Sequence, residues 1–203
     1  MRTHLIIPAV VVFLLLTLSS SIAAQQSSAT PEPQAKPTAM TMLPASVLDA
    51  ELKTSRGHSR KLSDYSGKVL VIYLWATWCG PCRFETPELV KLQDQFRSQG
   101  VFVVGLSTED PRESARAVRR WDRKYRVNYR TCWSPQKVSV TLMNGRDAIP
   151  QTLIVSRSGK IVKRFVGYNQ MSTPDQLKQT VEETLHENGS LPKQNQWRTL
   201  AAN

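Results

Sequence analysis

The tightest constraint on the fold is an unbroken apolar run, Val69-Leu70-Val71-Ile72-Tyr73-Leu74-Trp75. It is rich in β-branched and aromatic residues and has no polar alternation, the pattern of a strand covered on both faces. After Ala76-Thr77-Trp78-Cys79, the spacing of Leu89, Leu92 and Phe96 predicts a helix over about 80–98, closed by Gly100. Val101-Phe102-Val103-Val104-Gly105-Leu106 is a second buried strand. Strand, helix and strand in this order make a βαβ unit, whose two strands are parallel.

The flanks extend this unit. Val47 to Leu52 alternates weakly, like an edge strand, and Thr54 to Gly57 supplies a turn. Leu62 to Gly67 reads as a short helical turn ending at glycine. A helix is expected over about 111–125, with Val118, Trp121 and Tyr125 on one face. Strands at about 151–156 and 160–166 flank a Ser158-Gly159 turn, and a helix over about 174–186 closes the domain. No pattern assigns the stretch from Trp133 to Asp147. The sum is an α/β domain over 46–186, a central mixed sheet flanked by helices with an N-terminal strand extension.

Outside the domain the chain changes character. Arg2 and His4 precede an apolar run from Leu5 to Leu18, followed by Ser19-Ser20-Ser21-Ile22-Ala23-Ala24. A charged start, a short apolar stretch and a small-residue exit make a secretory signal over 1–24, with Ala23 or Ala24 closing the cleavage motif. Extended through the serines to Ala24, the same run approaches the roughly 20 residues of a spanning helix, so a retained membrane anchor is the competing reading. Residues 25–45 hold Pro31, Pro33, Pro37 and Pro44 and few packing side chains, a linker composition. Residues 187–203 form a polar tail. Export fixes the redox setting, since thiols outside the cytoplasm drift to disulfides unless electrons are supplied.

Three cysteines are too few for a disulfide scaffold, and Cys79 and Cys82 stand in C-x-x-C spacing. Cys79 falls where a buried strand meets a helix N-terminus, and the free N–H groups and helix dipole there favour its thiolate. Cys82 lies one turn further in. The pair is suited to disulfide exchange, with Cys79 attacking and Cys82 resolving. A half zinc site would need two more ligands, and only Cys132, His4, His58 and His186 remain among Cys and His. A purely structural disulfide here would close a loop too short to restrain the chain much.

The segment Leu74-Trp75-Ala76-Thr77-Trp78-Cys79-Gly80-Pro81-Cys82 resembles the active site of thioredoxins. Continued through Arg83-Phe84-Glu85-Thr86-Pro87, it is similar to the exported TlpA/ResA-type branch. The resemblance covers about residues 46–186 and implies a thioredoxin-like fold and thiol–disulfide oxidoreductase activity, with neither metal nor cofactor. It implies that Cys79 and Cys82 form the redox disulfide and that Glu85 is the acidic residue beside them, able to take the Cys82 proton. The competing reading of Glu85 is a solvated helix charge. Trp78, Gly80 and Pro81 would border the substrate. Ile149 and Pro150 would form the loop opposite the cysteines, with a cis bond before Pro150 and backbone at Ile149 open to an extended substrate segment. Tyr73 departs from cytoplasmic thioredoxins, which place a buried aspartate there; this puts more weight on Glu85.

The expected partners are disulfide-containing exported proteins and a membrane thiol electron donor, with membrane association through residues 5–24 if the anchor is retained. By family analogy the haem-attachment cysteines of cytochrome c, which must be reduced before haem is attached, would be clients. Two other functions share features with this one. A thiol peroxidase has the same fold, but its attacking cysteine follows a Pro-x-x-x-Thr-x-x pattern, and Leu74 stands where that proline belongs. An exported copper carrier would need a well-placed histidine. The formal charge of +11 favours anionic partners. It is concentrated between Arg112 and Arg130, either as a solvated helix face or as a docking patch; no nucleic-acid motif accompanies it. Cys132 reads as a buried core thiol.

Overall fold

The computed structural model describes residues 42–186. The signal or anchor, most of the linker and the polar tail expected from the sequence lie outside the described residues. Seven strands form one mixed sheet in the order β2-β1-β5-β4-β3-β6-β7. The strands are β1 (Leu52–Thr54), β2 (Ser59–Arg60), β3 (Val69–Trp75), β4 (Val101–Ser107), β5 (Arg130–Trp133), β6 (Gln151–Val155) and β7 (Ile161–Val166). β3 pairs in parallel with β4, and β4 with β5; β6 runs antiparallel to β3 and β7 to β6. The β1–β2 hairpin extends the sheet by pairing antiparallel with β5.

The helices are α1 (Ala45–Leu48), α2 (Cys82–Phe96), α3 (Pro111–Lys124), α4 (Gln136–Met143) and α5 (Thr173–His186). Every residue of β3 is buried. Because side chains alternate across a strand, its residues divide between two cores. Val69, Val71, Tyr73 and Trp75 pack with Leu89, Val118, Trp121 and Val181 from α2, α3 and α5. Leu70, Ile72 and Leu74 pack with Leu48, Leu62 and Leu142 on the opposite face. The seven-residue apolar run is thus the wall between two cores.

Three sequence expectations need correction. Val47 and Leu48 belong to a helical turn, not an edge strand; the Pro44 carbonyl accepts the amides of both, at 2.9 and 3.0 Å. Both side chains are buried, which adjacent residues in a one-sided strand cannot achieve. Packing also begins before residue 46: Leu43 is 1% exposed and its amide donates to Gly159 at 3.1 Å. Finally, the unassigned stretch after Trp133 contains α4, which starts at Gln136 after Pro135 and ends with Asn144 in the left-handed region. It covers the second core with Val138 and Leu142.

Candidate active site

The C-terminal ends of parallel strands are where α/β folds place their ligands, and β3 delivers Cys79 there. After Trp75 the chain makes a tight turn in which the Cys79 amide donates to Ala76 at 3.1 Å, and α2 begins at Cys82. The helix starts about two residues later than the expected 80, with Pro81 in the N-cap position rather than inside the first turn. The proline's lack of an N–H costs nothing at a helix start. Cys79 and Cys82 are joined in a disulfide, with Cα atoms 5.4 Å apart. The Cys82 amide points at Cys79 Sγ at 3.3 Å. A free N–H at a helix start would stabilise a thiolate on that sulfur once the disulfide opens. Cys79 is 3% exposed and Cys82 0%, so the outer sulfur is Cys79.

Glu85 follows Cys82 by one helical turn and is completely buried, which overturns the reading of it as a solvated helix charge. One carboxylate oxygen, Oε1, accepts from the Thr152 hydroxyl at 2.6 Å. The other, Oε2, has no hydrogen-bond partner among the described residues. Burial pushes its pKa up from 4.5 to about 7, with the Thr152 hydrogen bond opposing the rise. Tyr73 on β3 stands in register opposite Thr152 on β6. Its hydroxyl reaches the Cys82 carbonyl at 3.2 Å and the Thr86 hydroxyl at 3.3 Å. Where the cytoplasmic pattern has a carboxylate, this chain has a neutral phenol tying β3 to the first turn of α2, and the carboxylate comes from the helix instead.

The remaining expected residues surround the disulfide unevenly. Trp78 is 68% exposed, and Gly80 and Pro81 are also at the surface. A β-carbon on Gly80 would meet nothing, so no crowding in the free protein requires glycine there. The Ile149–Pro150 bond is cis. The β3–β6 pairing, with Gln151 opposite Leu74, brings this loop to the same end of the sheet as Cys79. The loop is held from several sides: the Gly167 amide donates to Pro150 at 2.8 Å, and the Gln151 side chain donates to Ala148 at 2.9 Å. Arg164 in turn donates to Gln151 Oε1 at 2.9 Å.

Two participants escape a sequence reading. Thr152 is one of two polar residues in a short buried strand, and only its register with Tyr73 places it on Glu85. Glu109 lies 30 residues from Cys79, just past β4. Its carboxylate accepts both the amide and the hydroxyl of Thr77 at 2.7 Å, and the Ser107 hydroxyl at 3.1 Å. It therefore ties the segment before the cysteines to the end of β4. Cys132 sits apart from the pair, buried in the second core, where burial pushes its thiol up to about 12. Among the described residues no group of three His, Cys, Asp or Glu side chains gathers to hold a metal ion. No helix among them is long and apolar enough to cross a membrane.

The AhpC/TSA family model matches residues 44–164. Thiol-disulfide oxidoreductase ResA of Bacillus subtilis is 30% identical over 118 residues, 57% of this chain. The match spans 63% of the length of that relative, a little under two thirds. A solved structure described as a thiol:disulfide interchange protein DsbE from Chlorobium tepidum superposes with a TM-score of 0.60 at 25% identity, covering 68% of this chain and 94% of that one. Peroxiredoxin Q of Xanthomonas campestris shares the fold at a TM-score of 0.59 and 18% identity, covering 72% of this chain and 98% of that one.

Proposed function

This chain belongs to the AhpC/TSA family, and on that premise we propose that it is an extracytoplasmic thiol–disulfide oxidoreductase that reduces disulfides of exported proteins. The observation that carries the reading is the Cys79–Cys82 disulfide at the start of α2 with a buried carboxylate one turn behind it. In the reduced protein, Cys79 thiolate attacks one sulfur of a client disulfide. A Cys79–client disulfide forms, and the other client sulfur leaves as thiolate. Cys82 then gives its proton to Glu85 and attacks Cys79 Sγ, which expels the second client thiolate and closes Cys79–Cys82. The client gains two electrons, the pair loses two, and the Glu85 proton goes on to the released thiolate. A carboxylate with pKa about 7 is matched to this task, because near neutrality it accepts and returns a proton at little cost.

Ile149, Pro150 and Trp78 are the surfaces against which the client strand would lie during attack. The pair must be reduced again after each turnover; in an oxidising compartment that role falls to a membrane thiol carrier. The N-terminal segment would export the chain or tether it near that carrier. Clients include haem-attachment cysteines that must be kept reduced, as in cytochrome c assembly.

The test is to equilibrate the purified full chain in graded thiol–disulfide buffers, trap free thiols, and read the mass. The expected result is one two-electron transition at Cys79 and Cys82, closer to the roughly −270 mV of thioredoxin than to the roughly −120 mV of DsbA. A chain with no such transition refutes the function, and one near the oxidising end makes it an oxidase. Rapid peroxide consumption by Cys79, with slow reduction of protein disulfides, would assign it instead to the peroxidases that share the fold.

A further inference from the structure

The basic residues that follow Pro111 are not spread evenly over solvent. Beside the cysteines lies a groove of about 810 Å³ between the segment around Trp78 and the last turns of α3. Four cations line it, Arg83, Arg120, Arg123 and Lys124, and no carboxylate does. All four are exposed, and none is in an ion pair with another described residue. Arg123 and Lys124 suit the negative end of the α3 dipole, so helix stability alone accounts for them. Arg83 has no such explanation. It lies in the first turn of α2, the positive end, where a cation is disfavoured.

The walls between these charges are aromatic: Trp78, Trp121 and Tyr125. Trp121 is mostly buried, packed at 4.8 Å on Trp75 and 4.6 Å on Tyr125. Its indole N–H has no acceptor among the described residues. Trp78 leaves most of its ring in water one residue from Cys79. An exposed tryptophan next to unpaired arginines is the composition of interface hot spots.

We propose that this groove receives an acidic stretch of the client polypeptide flanking the disulfide that Cys79 attacks. The inference rests on the exchange reaction proposed above and names the clients it favours: exported proteins with Asp or Glu beside the target cysteine. The aromatic walls pack the client backbone and side-chain stems, and the four cations select its charge. The site opens beside Trp78, one residue from Cys79, so a client chain held at the cysteines reaches its four cations in the same encounter.

The experiment compares three disulfide-bearing peptides, alike except for a flank of Glu, Gln or Lys, as substrates of the reduced full chain. Glu-flanked peptide is expected to react fastest and Lys-flanked slowest, with Glu over Gln on the order of tenfold at low salt and the gap closing at high salt. Combining Arg120→Gln, Arg123→Gln and Lys124→Gln should erase the preference and leave the rate on uncharged hydroxyethyl disulfide unchanged. A charge-matched control, Arg97→Gln with Arg130→Gln and Lys137→Gln, should keep the preference. Equal rates on the three peptides, with hydroxyethyl disulfide still reduced, overturn the groove assignment. So does loss of binding to anionic vesicles in the triple variant without any peptide preference in the parent chain, which would give these cations to a lipid surface. No reduction of hydroxyethyl disulfide at all would instead defeat the underlying exchange activity.

Discussion

Replacing Glu85 by glutamine isolates the energetic consequence of a buried carboxylate. Its pKa moves from 4.5 to about 7 on folding. At 1.36 kcal/mol for each pKa unit, that is a penalty of about 3 kcal/mol on the ionised form. Below about pH 4.5 the group is protonated in both states and costs nothing. Between about 4.5 and 7 the native state holds a proton that the unfolded chain has released, so stability falls as pH rises. Above about 7 the full penalty remains. Glu85→Gln keeps an acceptor for Thr152 and removes the titration. The gap in unfolding free energy between variant and parent should therefore widen by about 3 kcal/mol from about pH 4 to about pH 8, in favour of the variant. Urea titrations of the oxidised proteins across this range provide the assay. The pH trend is diagnostic and the absolute offset is not, because the new amide N–H₂ near the unpartnered Oε2 position carries its own desolvation cost. Parallel curves for the two proteins would refute the burial argument. On the proposed mechanism the same variant, once reduced, lacks an acceptor for the Cys82 proton, so the Cys79–client disulfide should persist longer in quenched reactions.

Glu109→Ala removes three hydrogen bonds at once, from the Thr77 amide, the Thr77 hydroxyl and the Ser107 hydroxyl. It should cost about 1–3 kcal/mol in denaturant titration and speed hydrogen exchange at the Thr77 amide; an unchanged exchange rate would count against its tethering role. Gly105→Ala would bring a methyl to 3.1 Å from the Tyr129 ring and 3.2 Å from Trp75 Nε1. The overpacking should destabilise by about 1–3 kcal/mol, and a neutral result would mean the rings yield freely. Cys132 is buried and its thiol is pushed up to about 12. At about pH 8 it should resist iodoacetamide in the folded chain and react fully in denaturant, as mass measurement would report.

Much of this domain is legible along the chain because its signals are local. A doubly buried strand must be apolar at every position, so Val69–Trp75 shows its bounds without a partner. The same strand, a helix and Val101–Ser107 specify a parallel pair, since no shorter connection joins parallel strands. The cysteine spacing, and the resemblance around it, single out the chemical centre. Val47 and Leu48 misled because two adjacent apolar residues fit a helical turn or a strand equally well until one knows that both face the same core. The helix Gln136–Met143 has little periodic signal in its eight residues.

The environment of the cysteines, by contrast, comes from packing between distant segments. Glu85 as a letter is an acid on a helix; whether water or protein surrounds it depends on where β6 lies. The antiparallel register that sets Thr152 against Tyr73 closes the site over the carboxylate and moves its pKa to about 7. Glu109 reaches Thr77 only because β3 and β4 end side by side. The basic run from Arg112 becomes a groove only where the end of α3 meets Trp78 and Arg83. Which residues can exchange electrons and which strands must be buried is readable along the chain, because nucleophilicity and hydrophobicity travel with the side chain. Proton affinity, tethering and charge selection arise between residues far apart in the chain, and only the packed sheet sets those distances.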